Sequence, residues 1–381
     1  MIFHTLPVLD AHIHYDSPAS MLNLIEILNR CGIEKFNVVC TPHTNRLSLV
    51  PDALHLKAHY PERVYVFGGL DISAYFILPD SCGAYFADYL DTLVRMGCDG
   101  VKMIEGKPGM RKSLSVPPFD GPAYAPYWTK MEALGLPLVF HVNDPEEFWD
   151  PALIPDWAVQ QGWFYGNGSF VSNEAQYGEI LNVLRRHPGL KMILAHFFFL
   201  SNQLPRLAGY LDEFPNMHVD LTPGVEMYYA FARNPAATRD FFLKYQDRII
   251  FGTDIGAKAL LSGSGGIALA ESQVRVNLIR SFLEADGEFR LVSDQGFLMD
   301  KFAGPFHGIC LPMDVLEKIY HRNFERLVGG LPRPLDPDAI IRECDRLATI
   351  IPVMGAARPG EQADPSVAEM ISLYFRGQKG A

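Results

Sequence analysis

The chain has 381 residues, 48% hydrophobic and 20% charged, with a formal net charge of −11 at pH 7. Such a composition is globular and supports a sizeable core, in a length that suits an α/β barrel with insertions. The acidic balance argues against nucleic acid or an anionic membrane as a partner, while leaving room for a local basic pocket that takes a small anion.

In chain order, short apolar runs alternate with longer amphipathic ones. The spacing predicts strands over Val8–His14, Phe36–Thr41, Val64–Leu70, Gly100–Glu105, Pro137–Asn143, Leu190–His196, Met217–Leu221 and Arg248–Asp254. Helical spacing fills the gaps: "MLNLIEILNRCG" ends in Gly32, "AYFADYLDTLVRMG" ends in Gly97, and "EAQYGEILNVLRRHPG" closes on basic residues and a Pro-Gly stop. The strands read as continuous apolar runs, which suits strands covered on both faces. Eight such units predict a (β/α)8 TIM barrel of the α/β class. An open doubly wound sheet is the rival, but no Gly-x-Gly-x-x-Gly follows the first strand. We expect the barrel over residues 1–330, with an insertion at 255–312 that begins near the glycine-rich "SGSGG" and covers the barrel mouth. A helical C-terminal extension is expected over 331–381.

Cys31, Cys40, Cys82, Cys98, Cys310 and Cys344 are scattered and form no Cys-x-x-Cys pair, as expected for free thiols in a reducing compartment. No secretory signal pattern or membrane-length apolar run is apparent, so a soluble cytoplasmic protein is expected.

"DAHIHYD" at Asp10–Asp16 places two imidazoles two residues apart, on one face at the end of the first strand. Three other predicted strands end in metal-ligand types: "LPLVFHVN" in His141, "LKMILAHF" in His196 and "RIIFGTDIG" in Asp254. In a barrel these ends share the rim where active sites are built. A lone histidine at a strand end is usually a rim or core residue. Four strand ends carrying His, His, His and Asp point instead to a divalent metal, with Zn²⁺ first and Mn²⁺ or Fe²⁺ as alternatives, as one ion or two.

With "YHRNFERLVG" at 320–329, these motifs resemble the amidohydrolase superfamily. The likeness is greatest to the amidohydrolase-2 branch, which includes aminocarboxymuconate-semialdehyde decarboxylase. The resemblance implies that His12, His14, His141 and Asp254 hold the metal, and that His196 contacts the water or substrate. It also implies that a strand-4 carboxylate bridges in two-metal relatives. That strand reads "DGVKMIEGKPG". Lys102 and Glu105 are three apart, so regular pleating sends only one inward unless a bulge intervenes. Glu105, nearer the rim, is the expected ligand. Lys102 is the expected contact for a substrate carboxylate, or a carbamate bridge.

Arg111, Asn143 and Tyr228 are candidate substrate contacts, as are Trp149 and Tyr229. Asp254 and His196 are the candidate catalytic pair, with Asp254 relaying a proton and His196 polarising the substrate. The expected activity is metal-dependent hydrolysis of an amide, lactone or other ester of a small molecule. The alternative is non-oxidative decarboxylation of a small carboxylic acid, and a barrel that binds without catalysis is a third reading. The resemblance also admits a homo-oligomer paired through rim loops.

Overall fold

The structure is a computed structural model that describes residues 3–43, 45–224, 226–257, 266–291, 304–356 and 363–378. Eight strands follow one another around a single parallel sheet. They are β1 (Leu9–Ile13), β2 (Lys35–Val39), β3 (Val64–Gly69), β4 (Gly100–Gly106), β5 (Pro137–Val142), β6 (Lys191–Leu194), β7 (Met217–Asp220) and β8 (Ile249–Ile250). The sheet closes on itself: β1 takes hydrogen bonds to the chain after β8, from Ala11 N to Phe251 O at 3.0 Å and from His14 N to Ile255 O at 2.8 Å. The expected (β/α)8 barrel is therefore the fold.

The helices wrap outside: α1 (Met21–Arg30), α2 (Val50–His59), α3 (Cys82–Met96), α4 (Ala125–Leu134), α5 (Asn173–Arg186), α6 (Leu204–Glu213), α7 (Pro235–Lys244) and α8 (Leu269–Glu284). Strand pleating sorts the apolar residues into two layers. Val64, Val66, Leu138, Phe140, Met192 and Leu194 pack outward under the helices. Leu9, Val39, Tyr65, Phe67, Val139, Ile193 and Ile250 fill the interior with Phe324. Burying both faces of every strand is what made the apolar runs continuous in sequence.

Phe324 comes from the short helix Asn323–Val328, within the stretch that resembled a closing helix. Asn323 locks it, donating to Gln246 O at 2.7 Å and Ile249 O at 2.8 Å. The tail continues into α9 (Pro337–Ala356) and α10 (Ser366–Gln378), which pack on each other and on α2. At the start of the tail, Asp99 accepts from Arg333 N at 2.7 Å, from Val66 N at 2.8 Å and from Lys57 Nζ at 2.7 Å.

After the barrel, α8 leads into an antiparallel pair, Asp286–Phe289 with Phe306–Ile309. Most of the "SGSGG" run falls outside the described residues. Among the described residues, no helix is long and apolar enough to cross a membrane.

Candidate metal centre

The centre starts at the end of β1. Pairing of β1 with β2 shifts register between Asp10 and Ile13, so simple alternation fails there. Leu9 and Ala11 join the barrel interior, and His12 and His14 both turn toward the mouth beyond them. Asp10 stabilises the irregular backbone by accepting from His12 N at 3.0 Å and from Thr253 N at 3.2 Å. Asp254 follows β8 with φ of +61°, a left-handed conformation that Asp tolerates better than most residues. Its Oδ1 lies 3.0 Å from His14 Nε2 and 3.7 Å from His12 Nε2. One donor atom from each of His12, His14 and Asp254 falls within 4.8 Å of the others.

His141 and His196 face the same cavity, of about 280 Å³. Their rings lie 4.7 Å apart, and the His196 ring is 5.9 Å from that of His12. β6 ends at Leu194, and the chain then makes a left-handed turn. His196, Phe197, Phe198 and Phe199 have φ of 55°, 56°, 57° and 53°. Left-handed backbone costs roughly 1–2 kcal/mol per non-glycine residue. Two buried contacts hold the turn: Tyr177 donates to Phe198 O at 3.1 Å and Asp220 accepts from His196 N at 2.8 Å. Strain of this kind concentrates where a side chain must be aimed. Here it stacks Phe199 on His196, with centroids 5.0 Å apart.

The donor set suits a cation. His14 Nδ1 and His196 Nδ1 are buried with no hydrogen-bond partner, and His141 Nε2 faces Asp144 Oδ1 at 3.4 Å. Lys102, buried on β4, points its ammonium at His12 Nε2 from 3.1 Å, filling a cation's place beside that lone pair. Burial, then the Lys102 charge, holds His12 well below the ordinary imidazole range, in the neutral form that ligates metal. His141 and His196 are also lowered, chiefly by burial. Burial works against ionisation of Asp254, but the hydrogen bond from His14 and the neighbouring imidazoles and Arg275 guanidinium outweigh it, leaving a stable carboxylate. Burial brings Lys102 down to about 8, against the charges of Asp220, Asp254 and Glu105.

Several sequence-predicted residues do not converge here. Lys102 pairs with Val139 across β4–β5 and points inward, whereas Glu105 is absent from the metal-donor group and from the cavity wall. Its carboxylate is buried, accepts from Ile104 N at 2.8 Å, and is pushed by burial to about 7. Lys102 lines the cavity, and the pairing of β4 with β5 shifts register between Met103 and Gly106, the stretch that holds Glu105. Arg111 is buried on Glu179 at 2.9 Å and reaches Gln176. Asn143 bonds Asn173 O and Gln176, and Tyr228 donates to Leu221 O. None of these three lines the cavity. Arg111→Ala should therefore cost roughly 1–3 kcal/mol by unpairing buried groups, with KM unchanged. Denaturant melts and steady-state kinetics check this; a raised KM at unchanged stability would contradict it.

Three polar residues, Asp220, Arg275 and Asp144, were not anticipated. Asp220 accepts from His12 Nδ1 at 2.8 Å. Arg275 on α8 lines the cavity 3.7 Å from Asp254 Oδ2 and pairs with Glu271 at 3.1 Å. Lys107 and Asp144 pair at 2.8 Å beside His141. The one sequence signal was Asp220 itself, a carboxylate in the otherwise apolar seventh strand. The apolar part of the wall includes Ile104, Met110, Phe148, Trp163 and Phe199.

Among solved structures, the chain is similar to a Staphylococcus aureus protein assigned as an amidohydrolase, with 15% identity, TM-score 0.52, and coverage of 85% of this chain and 100% of that one. It is similar to a dihydroxybenzoic acid decarboxylase from Polaromonas sp. JS666 with bound manganese and the inhibitor 2-nitroresorcinol, with 14% identity, TM-score 0.50, and coverage of 85% and 97%. A 5-carboxyvanillate decarboxylase from Novosphingobium aromaticivorans, complexed with manganese, gives 12% identity, TM-score 0.50, and coverage of 85% and 96%. Comparison with curated proteins finds no match. These likenesses carry the fold. The family rests on the amidohydrolase model that matches residues 71–330, a span that takes in Lys102, His141, His196 and Asp254. With most of its length matched and its first strand delivering His12 and His14 to the same rim, the chain belongs to the amidohydrolase family.

Proposed function

We propose that the protein is a metal-dependent hydrolase that cleaves an amide, lactone or other ester bond of a small molecule. The observation that carries this reading is the convergence of His12, His14 and Asp254 donor atoms within 4.8 Å in the wall of the cavity at the barrel mouth. His12, His14, His141 and Asp254 would hold the cation, one ion or two, with His196 beside it facing the water or substrate. Zinc suits these nitrogen and carboxylate donors, and manganese, present in the Polaromonas and Novosphingobium neighbours, is the alternative. Bound there, a divalent ion supplies Lewis acidity toward a substrate oxygen and acidifies water. Asp254, held ionised, accepts the proton of the attacking water through its Oδ1 and returns it to the leaving group. His196, held neutral by burial, donates a hydrogen bond toward the substrate carbonyl. The aromatic side chains Phe148, Trp163 and Phe199 make that part of the wall apolar, which strengthens the polar contacts beside it.

A second reading, decarboxylation, is favoured by one specific feature. Lys102 lines the cavity and makes no direct salt bridge among the described residues, so its ammonium is placed to meet a substrate carboxylate. The segment 255–312 would form the insertion over the mouth, and 331–381 a helical extension packed on the outside of the barrel, where Arg346 pairs with Asp71 at 2.9 Å.

The test is a screen of the zinc- and manganese-loaded enzyme against lactones, esters, amides and small carboxylic acids. Product acid carrying oxygen from isotopically labelled water is the expected result, lost on chelation and restored by metal. Release of carbon dioxide without oxygen incorporation would transfer the assignment to the second reading. Full turnover in chelated protein would sink both.

A further inference from the structure

Asp220 is fully buried at the end of β7, and its two oxygens face donors on opposite sides. Oδ2 accepts from His12 Nδ1 at 2.8 Å. Oδ1 accepts from the backbone N–H of His196 at 2.8 Å and of Thr222 at 3.2 Å. With Oδ1 taken by two backbone donors and Oδ2 set 2.8 Å from His12 Nδ1, the geometry places the His12 proton on Nδ1. The far side of the ring agrees. The Lys102 ammonium only donates, so His12 Nε2, 3.1 Å away, must present a lone pair.

We propose that Asp220 is a positioning residue that acts in two directions at once: it fixes His12 in the tautomer whose Nε2 faces the metal, and it pins the left-handed turn that aims His196. The inference rests on the metal-centre reading above and adds to it a residue on a strand with no metal donor of its own. Partners of this sort orient metal-bound histidines, and their loss typically weakens metal affinity about 10- to 100-fold.

The chemistry makes a sharp distinction between substitutions. Asparagine has the shape of aspartate but one acceptor and one donor. The backbone N–H groups of His196 and Thr222 cannot change, so the Asn oxygen stays with them. Its NH2 then faces His12 Nδ1, which must become an acceptor. The proton moves to His12 Nε2, the atom that should ligate. Asp220→Asn therefore preserves the turn and spoils the ligand, whereas Asp220→Ala loses both.

Two measurements test this without relying on turnover. Nitrogen NMR of histidine-labelled, metal-free wild type should show His12 protonated at Nδ1; protonation at Nε2 overturns the proposal. Titration with Co²⁺, followed by its visible spectrum and by chelator competition, should show about 10- to 100-fold weaker binding and an altered spectrum for Asp220→Asn. Amide exchange at residues 195–200 should remain as slow as in wild type. An Asp220→Asn protein that binds Co²⁺ with wild-type affinity and spectrum overturns the proposal. If Asp220→Asn fails to fold, the wild-type tautomer decides. Wild type that binds no Co²⁺ defeats the metal-centre reading, and the NMR result still stands as the test of the tautomer.

Discussion

Asp254→Asn is expected to lower kcat/KM by about 10²- to 10⁴-fold on the substrate the screen identifies, while leaving the protein folded. The fold should survive for local reasons. Asp254 sits at φ of +61°, and Asn enters the left-handed region as readily as Asp. Its backbone N–H still donates to His12 O at 2.9 Å, holding the chain after β8 against β1. The side chain is what changes. An amide oxygen is a weaker ligand than a carboxylate and does not act as a general base near neutral pH. It also leaves the Arg275 guanidinium, 3.7 Å from Oδ2, without its charge partner at the cavity. Elemental analysis should show less bound metal, and kinetics should show the loss mainly in kcat. Wild-type rate and metal content in Asp254→Asn would remove Asp254 from the centre.

The largest stability effect is expected at the opposite end of the barrel. Lys57 and Asp99 form an ion pair at 2.7 Å with both side chains essentially inaccessible. Burial alone would neutralise each: it pulls Lys57 down and pushes Asp99 up, and the two charges restrain one another. Breaking such a pair on one side leaves an uncompensated buried charge and costs about 3–5 kcal/mol. Asp99→Ala also strips acceptors from Val66 N and Arg333 N, the second of which ties the tail to the barrel floor. Urea denaturation should show the full loss for Asp99→Ala. Lys57→Met should lose less, because Asp99 keeps both backbone donors and can protonate. Equal midpoints for wild type and Asp99→Ala would show that the pair contributes nothing.

Much of the architecture was legible because it depends on near neighbours. An apolar run such as "PLVFHV" is long enough for a strand and too short for a helix, and Gly97 and Gly135 mark helix ends through their positive φ. The rim histidines were legible for the same reason, since each ends its own run. Asp254 was found from "GTD", although regular pairing stops at Ile250 and the last residues bend toward β1. His196 was found too, but as the end of a strand rather than the head of a left-handed turn, because four residues with positive φ have no signature in "HFFF".

What stayed hidden depends on closure of the barrel. Proximity to the rim favoured Glu105 over Lys102, yet Lys102 lines the cavity and Glu105 does not, on a strand whose pairing with β5 shifts register between Met103 and Gly106. Arg111 looked like a free cation until Glu179, on α5, came to meet it. Asp220 lies 208 residues from His12 and reads as one polar residue in an apolar strand. The sequence by itself determined the strand and helix periods, the barrel class and which histidines stand at strand ends, since hydrophobic periodicity is written within a few residues. Only the tertiary structure decided which carboxylate answers which imidazole, because a hydrogen bond of 2.8 Å between β1 and β7 exists only after eight strands have closed into a ring.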